Sequence, residues 1–211
     1  MVTADEGARA VRLARQALEL SLAPGSPSDP AVHFRHADLP SVFDEPRGVF
    51  VTLRRLPRDE LRGCIGYPIP VYPLRAGIPR VAVAAAREDP RFPPVQPQEL
   101  PGLSLEVTLL SLPEPILADT PEERLAQVQV GRDGLIVDSD EASGLLLPQV
   151  PVEERWDAEQ FLRATCEKAG LDSDAWRRPE VSLRRFSGEV FREPRLHSSG
   201  GRARTSPVSP T

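Results

Sequence analysis

The sequence predicts an α+β domain built mainly on antiparallel sheet, with helices flanking it. Two observations carry this. Runs in which apolar and polar residues alternate, at 49–53, 103–109 and 181–191, are bounded by proline, glycine and aspartate turns rather than by crossover helices. The segments come in the order helix, hairpin, helix, strand, then helix, hairpin, strand, helix, strand, which is not the strict alternation of a parallel sheet.

Each element has its own local cause. Thr3 with Glu6 reads as a capping box, and Val11, Ala14, Ala17 and Leu18 recur at helical spacing, so a helix spans 4–22 until Pro24-Gly25 stops it. Residues 26–47 are proline- and serine-rich and predict a loop; His33 and His36 lie in it without a third ligand nearby, so no metal is expected. Val49, Val51 and Leu53 alternate with Phe50 and Thr52 in a strand over 48–55. The turn at Pro57 to Glu60 returns the chain as an antiparallel partner over 61–65. The alanines between Pro73 and Asp89 predict a helix, with Pro79 either kinking it or standing in its first turn, and Pro90 ending it. Residues 91–97 read as an extended loop in which Arg91 and Phe92 are a charged and an apolar anchor.

In the second half, Leu103, Leu105, Val107 and Leu109 form one face of a strand and Glu106 lies on the other. Thr120-Pro121-Glu122-Glu123 starts a helix. Val128 and Val130, the turn at Gly131-Arg132-Asp133-Gly134, and Leu135 to Val137 read as a hairpin, and 144–150 as a further strand. Asp157 with Gln160 caps a helix whose apolar stripe includes Phe161, Leu162 and Cys166, ended by Gly170. Cys166 on that stripe is expected to be core. The last strand, 181–191, slips its alternation near Gly188 as a bulge does. The domain is expected to occupy 1–194. From residue 195 to 211 the composition is serine, glycine, proline and arginine without apolar pattern, which predicts a disordered, dispensable tail.

The stretch Leu61-Arg62-Gly63-Cys64-Ile65-Gly66 does not suit a plain strand, because glycine twice loosens it and removes packing surface. Gly63 and Gly66 are therefore read as clearing space for a bound group. In a regular strand Arg62 and Cys64 share a face, so the guanidinium would supply positive potential beside the thiol, provided no bulge intervenes. Glu106 is the candidate general base or anion partner, and its plain alternative is a solvated strand face. The glycine-flanked Arg132-Asp133 turn is a second candidate binding element, although it lacks the spacing of a phosphate-binding loop. The alternative for Cys64 is a packed thiol on a bulged strand.

The chain has 24 prolines and a net charge of −5, and its 26 basic residues include only one lysine, Lys168. The three arginines after Pro194 leave the body more acidic still, which disfavours non-specific nucleic-acid binding. No apolar run is long enough to span a bilayer and the first residues lack the layout of a signal peptide, so the expected location is the cytoplasm. Two cysteines about a hundred positions apart suit reduced thiols rather than a disulfide framework.

The hexapeptide is followed by Pro68, Pro70 and Pro73-Leu74, then by Asp89-Pro90-Arg91-Phe92-Pro93-Pro94-Val95. Glu106-Val107, the run 130–137, Gly144 to Val150, Trp156-Asp157, Phe161-Leu162, Cys166 to Leu171 and Trp176 continue the pattern. In this order these segments resemble the AMMECR family. The resemblance implies an α+β fold of two unequal, closely packed subdomains with a cleft between them. It also implies, for prokaryotic members, a three-part set with a Memo-like protein and a radical-SAM enzyme.

Two functions follow as expectations. One is a cleft-based modification enzyme acting on a nucleotide, RNA or small metabolite, with Cys64, Arg62 and Glu106 as catalytic candidates. Gly63, Gly66, Arg91, Phe92, Arg132 and Asp133 are its binding candidates. Its cofactor is unknown, and having no iron–sulfur cysteine cluster it leaves any radical chemistry to the partner. The other is a non-catalytic adaptor whose arginines and prolines form a recognition surface. The lack of an evident histidine base beside the cysteine favours the adaptor, and direct RNA binding is a weaker third.

Overall fold

The structure, a computed structural model, describes residues 2–140 and 142–194. In chain order the elements are α1 (Ala4–Leu22), the hairpin β1 (Val49–Arg55) and β2 (Glu60–Tyr67), α2 (Leu74–Arg87), β3 (Leu103–Leu110) and the short β4 (Glu114–Pro115). There follow α3 (Pro121–Ala126), β5 (Asp133–Asp138), β6 (Ser143–Leu146), α4 (Gln149–Glu153), α5 (Ala158–Lys168) and β7 (Ser182–Arg192). All strand pairings are antiparallel, in the order β2-β1-β3-β7-β5-β6, with β4 also against β7. The α+β class read from the sequence holds.

Helix starts form where their side chains satisfy the free amides of the first turn. Thr3 Oγ1 accepts from the Glu6 amide at 3.3 Å and Glu6 accepts from the Thr3 amide at 2.8 Å; Asp157 and Gln160 repeat this reciprocal cap on α5. Three expectations are decided or changed. Pro79 is the sixth residue of α2, buried in its interior, so of the two places expected for it the first turn is excluded. Residues 128–130 form no strand, because Gln129 is held by Asp133, whose side chain accepts its amide at 2.8 Å. The partners of β5 are instead β6 and β7. The strand expected over 144–150 stops at Leu146, where Pro148 turns the chain into α4.

β7 ties the two halves together. Its first part, Ser182 to Ser187, pairs with β5, and its last part, Gly188 to Arg192, with β3, both in constant register. The expected bulge at Gly188 is absent; the pairing partner changes there instead. Two odd positions of β7 enter the cores: Leu183 joins Phe161, Leu162, Cys166, Trp176, Leu135 and Val137 under α5, and Phe191 packs on the larger core of α1, α2, β1 and β3. Each core thus uses one side of the sheet. Full burial of side chains such as Leu105, Phe161 and Trp176 is the main drive, at about 1.5–3 kcal/mol for each large apolar side chain.

The even positions of β1, β3 and β7 look the other way, and among the described residues no helix core packs on them. A small cluster on this side gathers Phe50 of β1, Leu110 of β3, Phe186 of β7, Ile136 of β5, and Leu145 and Leu147 from β6 and just after it. In a flat sheet β1 and β6 stand about 19 Å apart, four strand spacings. Their meeting in one cluster requires the sheet to curl towards this side, as a half-barrel whose helices lie outside. The tail from 195 to 211, expected to be disordered, lies outside the described residues.

Candidate functional site

The register of the hairpin decides what accompanies Cys64. Thr52 is its partner on β1, Glu106 is Thr52's partner on β3, and Arg192 is Glu106's partner on β7. One row, Cys64, Thr52, Glu106 and Arg192, therefore crosses the concave face of four strands. Thr52 Oγ1 lies 3.3 Å from Cys64 Sγ, which sets the thiol on that face, partly exposed. Arg192 Nε stands 2.7 Å and Arg54 Nε 3.8 Å from Glu106 Oε2. Neither is aligned as a hydrogen bond, and the buried Arg54 Nε and Glu106 Oε2 are both without one.

The backbone of Cys64 is held at both polar groups. Its amide donates to Asp89 Oδ2 at 2.8 Å, and its carbonyl accepts from Arg91 Nη2 at 3.3 Å. Arg91 in turn grips Asp89 through Nε at 2.9 Å and Nη2 at 2.7 Å. That bidentate contact holds the buried Asp89 carboxyl well below the ordinary carboxylate range, opposed by its desolvation, and raises Arg91 in turn. The Arg91 guanidinium also lies 5.5 Å from the Phe92 ring centre. These two loop residues thus reach the hexapeptide from the end of α2.

Arg62 does not reach the thiol. Leu53 pairs with Gly63 and Arg54 with Leu61, so Arg62 is the extra residue of a bulge, and the shared face expected for Arg62 and Cys64 is lost. Only 1% exposed, it meets Glu99 through Nε–Oε2 at 2.9 Å and Nη2–Oε1 at 3.0 Å, with the Phe92 ring 5.9 Å away. Hydrogen bonding to Arg62 pulls Glu99 down to about 2. The guanidinium beside Cys64 is that of Arg91. Gly63 and Gly66 also differ from expectation, because the space each leaves is filled from within: a Cβ on Gly63 would collide with the Ala85 carbonyl of α2, and one on Gly66 with the Phe50 ring.

Arg132 and Asp133 lie apart from this row. Asp133, 2% exposed, takes Arg132 at 2.6 and 2.8 Å, and both line a polar pocket with Arg47, Glu114, Arg185 and Glu189 that none of the hexapeptide enters. An apolar pocket of about 210 Å³ opens at the other end of the concave face, between Pro68-Ile69-Pro70, Leu110, Leu112, Ile136, Leu145 and Phe186. It does not include Cys64, which stands two same-face rows further along the strands, about 13 Å by strand rise. Ile69 and Leu112 at its rim are 61% and 54% exposed.

The sequence reading missed Thr52, Arg54, Arg192, Asp89 and Glu99. Thr52 and Arg54 were visible as the polar members of an alternating strand. Their alignment with Cys64 was not, since it depends on where the bulge falls.

A family model described as AMMECR1 matches residues 11–191. The chain belongs to the AMMECR1 family. Similar proteins occur in Thermococcus gammatolerans, 51% identical over 87% of this chain and 88% of the relative, and in Thermofilum pendens, 47% identical over 91% and 92%. The crystal structure of the uncharacterized protein PH0010 from Pyrococcus horikoshii is similar with a TM-score of 0.68 and 45% identity, covering 91% of this chain and 93% of that one. The family match thus spans both halves of the curled sheet. No helix among the described residues is long and apolar enough to cross a membrane, and none of their His, Cys, Asp and Glu side chains form a group of three or more that could hold a metal.

Proposed function

We propose that the concave face is the working face of a cleft-based modification enzyme, with Cys64 presenting the reacting group. The observation that carries this is the row Cys64, Thr52, Glu106 and Arg192 on a side of the sheet against which no helix core packs among the described residues. A cysteine needed only for packing belongs under the helices, as Cys166 does. Here the thiol faces the cleft beside a hydroxyl, while Asp89 and Arg91 fix the backbone behind it. The Thr52 hydroxyl donates to Cys64 Sγ at 3.3 Å, so the sulfur stands on the same face as Glu106 and Arg192 and within reach of a group bound there. The substrate is a nucleotide, an RNA segment or a small metabolite, and a Memo-like protein and a radical-SAM enzyme are the partners the family resemblance implies.

One observation favours the adaptor instead. Glu106 is flanked by two arginines, which suits an anion partner better than a general base, and no imidazole stands in the row. The test is the rate at which Cys64 reacts with iodoacetamide, folded and urea-unfolded, at one pH. An activated thiol reacts faster folded than unfolded, and Thr52→Val slows the folded rate several-fold. A folded Cys64 slower than the unfolded one gives the adaptor reading the lead.

A further inference from the structure

Resting on the reading of the concave face as the working face, the geometry points to the class of molecule that fits it. We infer that its arginine end binds the oxyanion of a small amphipathic substrate whose apolar part lies over Phe50. Along the strands the same-face rows run from Gly48, Pro68 and Leu110 to Phe50 and Thr108. They continue to Cys64, Thr52, Glu106 and Arg192, and end at Arg54 and Ser104. The face is thus apolar at one end and cationic at the other, with the thiol at the β2 edge of the row that Arg192 closes on β7.

The cationic end has donors to spare. Arg54 spends Nη1 on the Asp59 carbonyl at 3.2 Å, while its buried Nε makes no hydrogen bond and stands 3.8 Å from Glu106 Oε2. Arg192 makes an ion pair with Glu106 through Nε but no aligned hydrogen bond to any described residue. Two guanidinium groups against one carboxylate leave a net positive charge at the cleft floor. The Glu106 side chain is only 13% exposed, so it cannot leave for solvent without opening the sheet face. Glu106 therefore acts as an internal counter-ion that keeps the two arginines together, and an incoming phosphate or carboxylate takes the outward N–H groups of Arg192 and Arg54, whose side chains are 55% and 30% exposed. Next to this, the Phe50 ring occupies the space that a Gly66 side chain would take, and offers an apolar floor one row from the thiol. A molecule with its oxyanion between Arg54 and Arg192 and its apolar part on the Phe50 ring, which leans over Gly66 of β2, lies alongside Cys64 two residues from that glycine.

The test uses phenyl phosphate, benzoate and neutral benzyl alcohol, each titrated calorimetrically into the full chain, with protection of Cys64 from neutral iodoacetamide as the reading of location. Phenyl phosphate or benzoate should bind and protect Cys64 where benzyl alcohol does not. Arg192→Met and Arg54→Met should each weaken that binding roughly tenfold through loss of a charge-assisted contact. Glu106→Gln should tighten it several-fold by removing the competing carboxylate, an effect that a merely structural Glu106 would not give. Circular dichroism confirms that each variant is folded, and Arg192, at the exposed end of the row, carries the test if Arg54→Met unfolds. Equal binding of the neutral alcohol, binding indifferent to Arg192→Met, or no anion binding overturns the inference. A Cys64 that reacts faster folded than unfolded but binds no anion sinks the oxyanion subsite and spares the enzyme reading. Anion binding beside a thiol slower folded than unfolded does the reverse.

Discussion

The two faces of the curled sheet are built from the same strands and differ in almost every other respect. On the outer face Val49, Val51, Leu53, Leu105, Val107 and Leu109 are buried to 1% exposure or less beneath α1 and α2. On the inner face the residues between them, Phe50, Thr52, Arg54, Glu106 and Thr108, carry hydroxyls, charges and one ring. The two cysteines divide along the same line. Cys166 is fully buried under the outer face of the second half, where desolvation raises its thiol, while Cys64 looks into the cleft. The lesson is that the alternation of a strand separates a sealed apolar side from a polar one, so that adjacent residues meet different surroundings.

The contrast is broken most severely from the outer side. Phe161→Ala should destabilise by about 3–5 kcal/mol, measured by urea unfolding, because α5 cannot collapse into the space left in a sealed core. Arg62→Ala comes next. Its loss leaves Glu99 with Arg55 and the Gln96 amide and opens the margin between β2 and the 97–102 segment, and a drop of about 1–3 kcal/mol is expected from emptying the site of a buried guanidinium. Iodoacetamide labelling of Cys64 should stay nearly unchanged in that variant, since Arg62 stands away from the thiol. Labelling that slows sharply would return Arg62 to the site.

How much of this was legible in the sequence follows from which interactions are local. The capping boxes at Thr3 and Asp157, the alternation of 103–109 and the helix that buries Cys166 are all set by near neighbours, and each appears where the residues predicted it. What depends on distant chain was not legible. The bulge that separates Arg62 from Cys64 is fixed by Glu99, 37 positions on, and the partner of β5 is fixed by a strand some 50 positions later. The glycines of the hexapeptide pointed correctly to a close approach, but what approaches is the α2 backbone and the Phe50 ring.

Smaller effects sharpen the comparison. Cys166→Ser should cost about 1–3 kcal/mol through a buried hydroxyl, and the native Cys166 thiol should resist alkylation until the protein unfolds. The acid limb of stability should carry the signature of Asp89 and Glu99. Both are lower when folded than unfolded, so their contribution is present in full above the ordinary carboxylate range. For Glu99 it is lost as pH falls from about 4.5 towards about 2, and Asp89 acts in the same direction. Urea midpoints followed over that interval should fall less steeply in Glu99→Gln than in the wild type. Least of all should Thr108→Ala matter; on the inner face, with no helix above it, the change should stay within about 1 kcal/mol.

The most direct test is hydroxyl-radical footprinting of the native chain, read residue by residue by mass spectrometry. Phe50 and Val51 are neighbours in one peptide, one on each face, and Val190 on β7 is 52% exposed where Val51 is 0%. An open inner face predicts oxidation of Phe50, Val190 and Cys64 with protection of Val51, Leu105 and Cys166. Protection of Phe50, Val190 and Cys64 as complete as that of Val51 would show the inner face to be covered, and would contradict it as the working face of this protein.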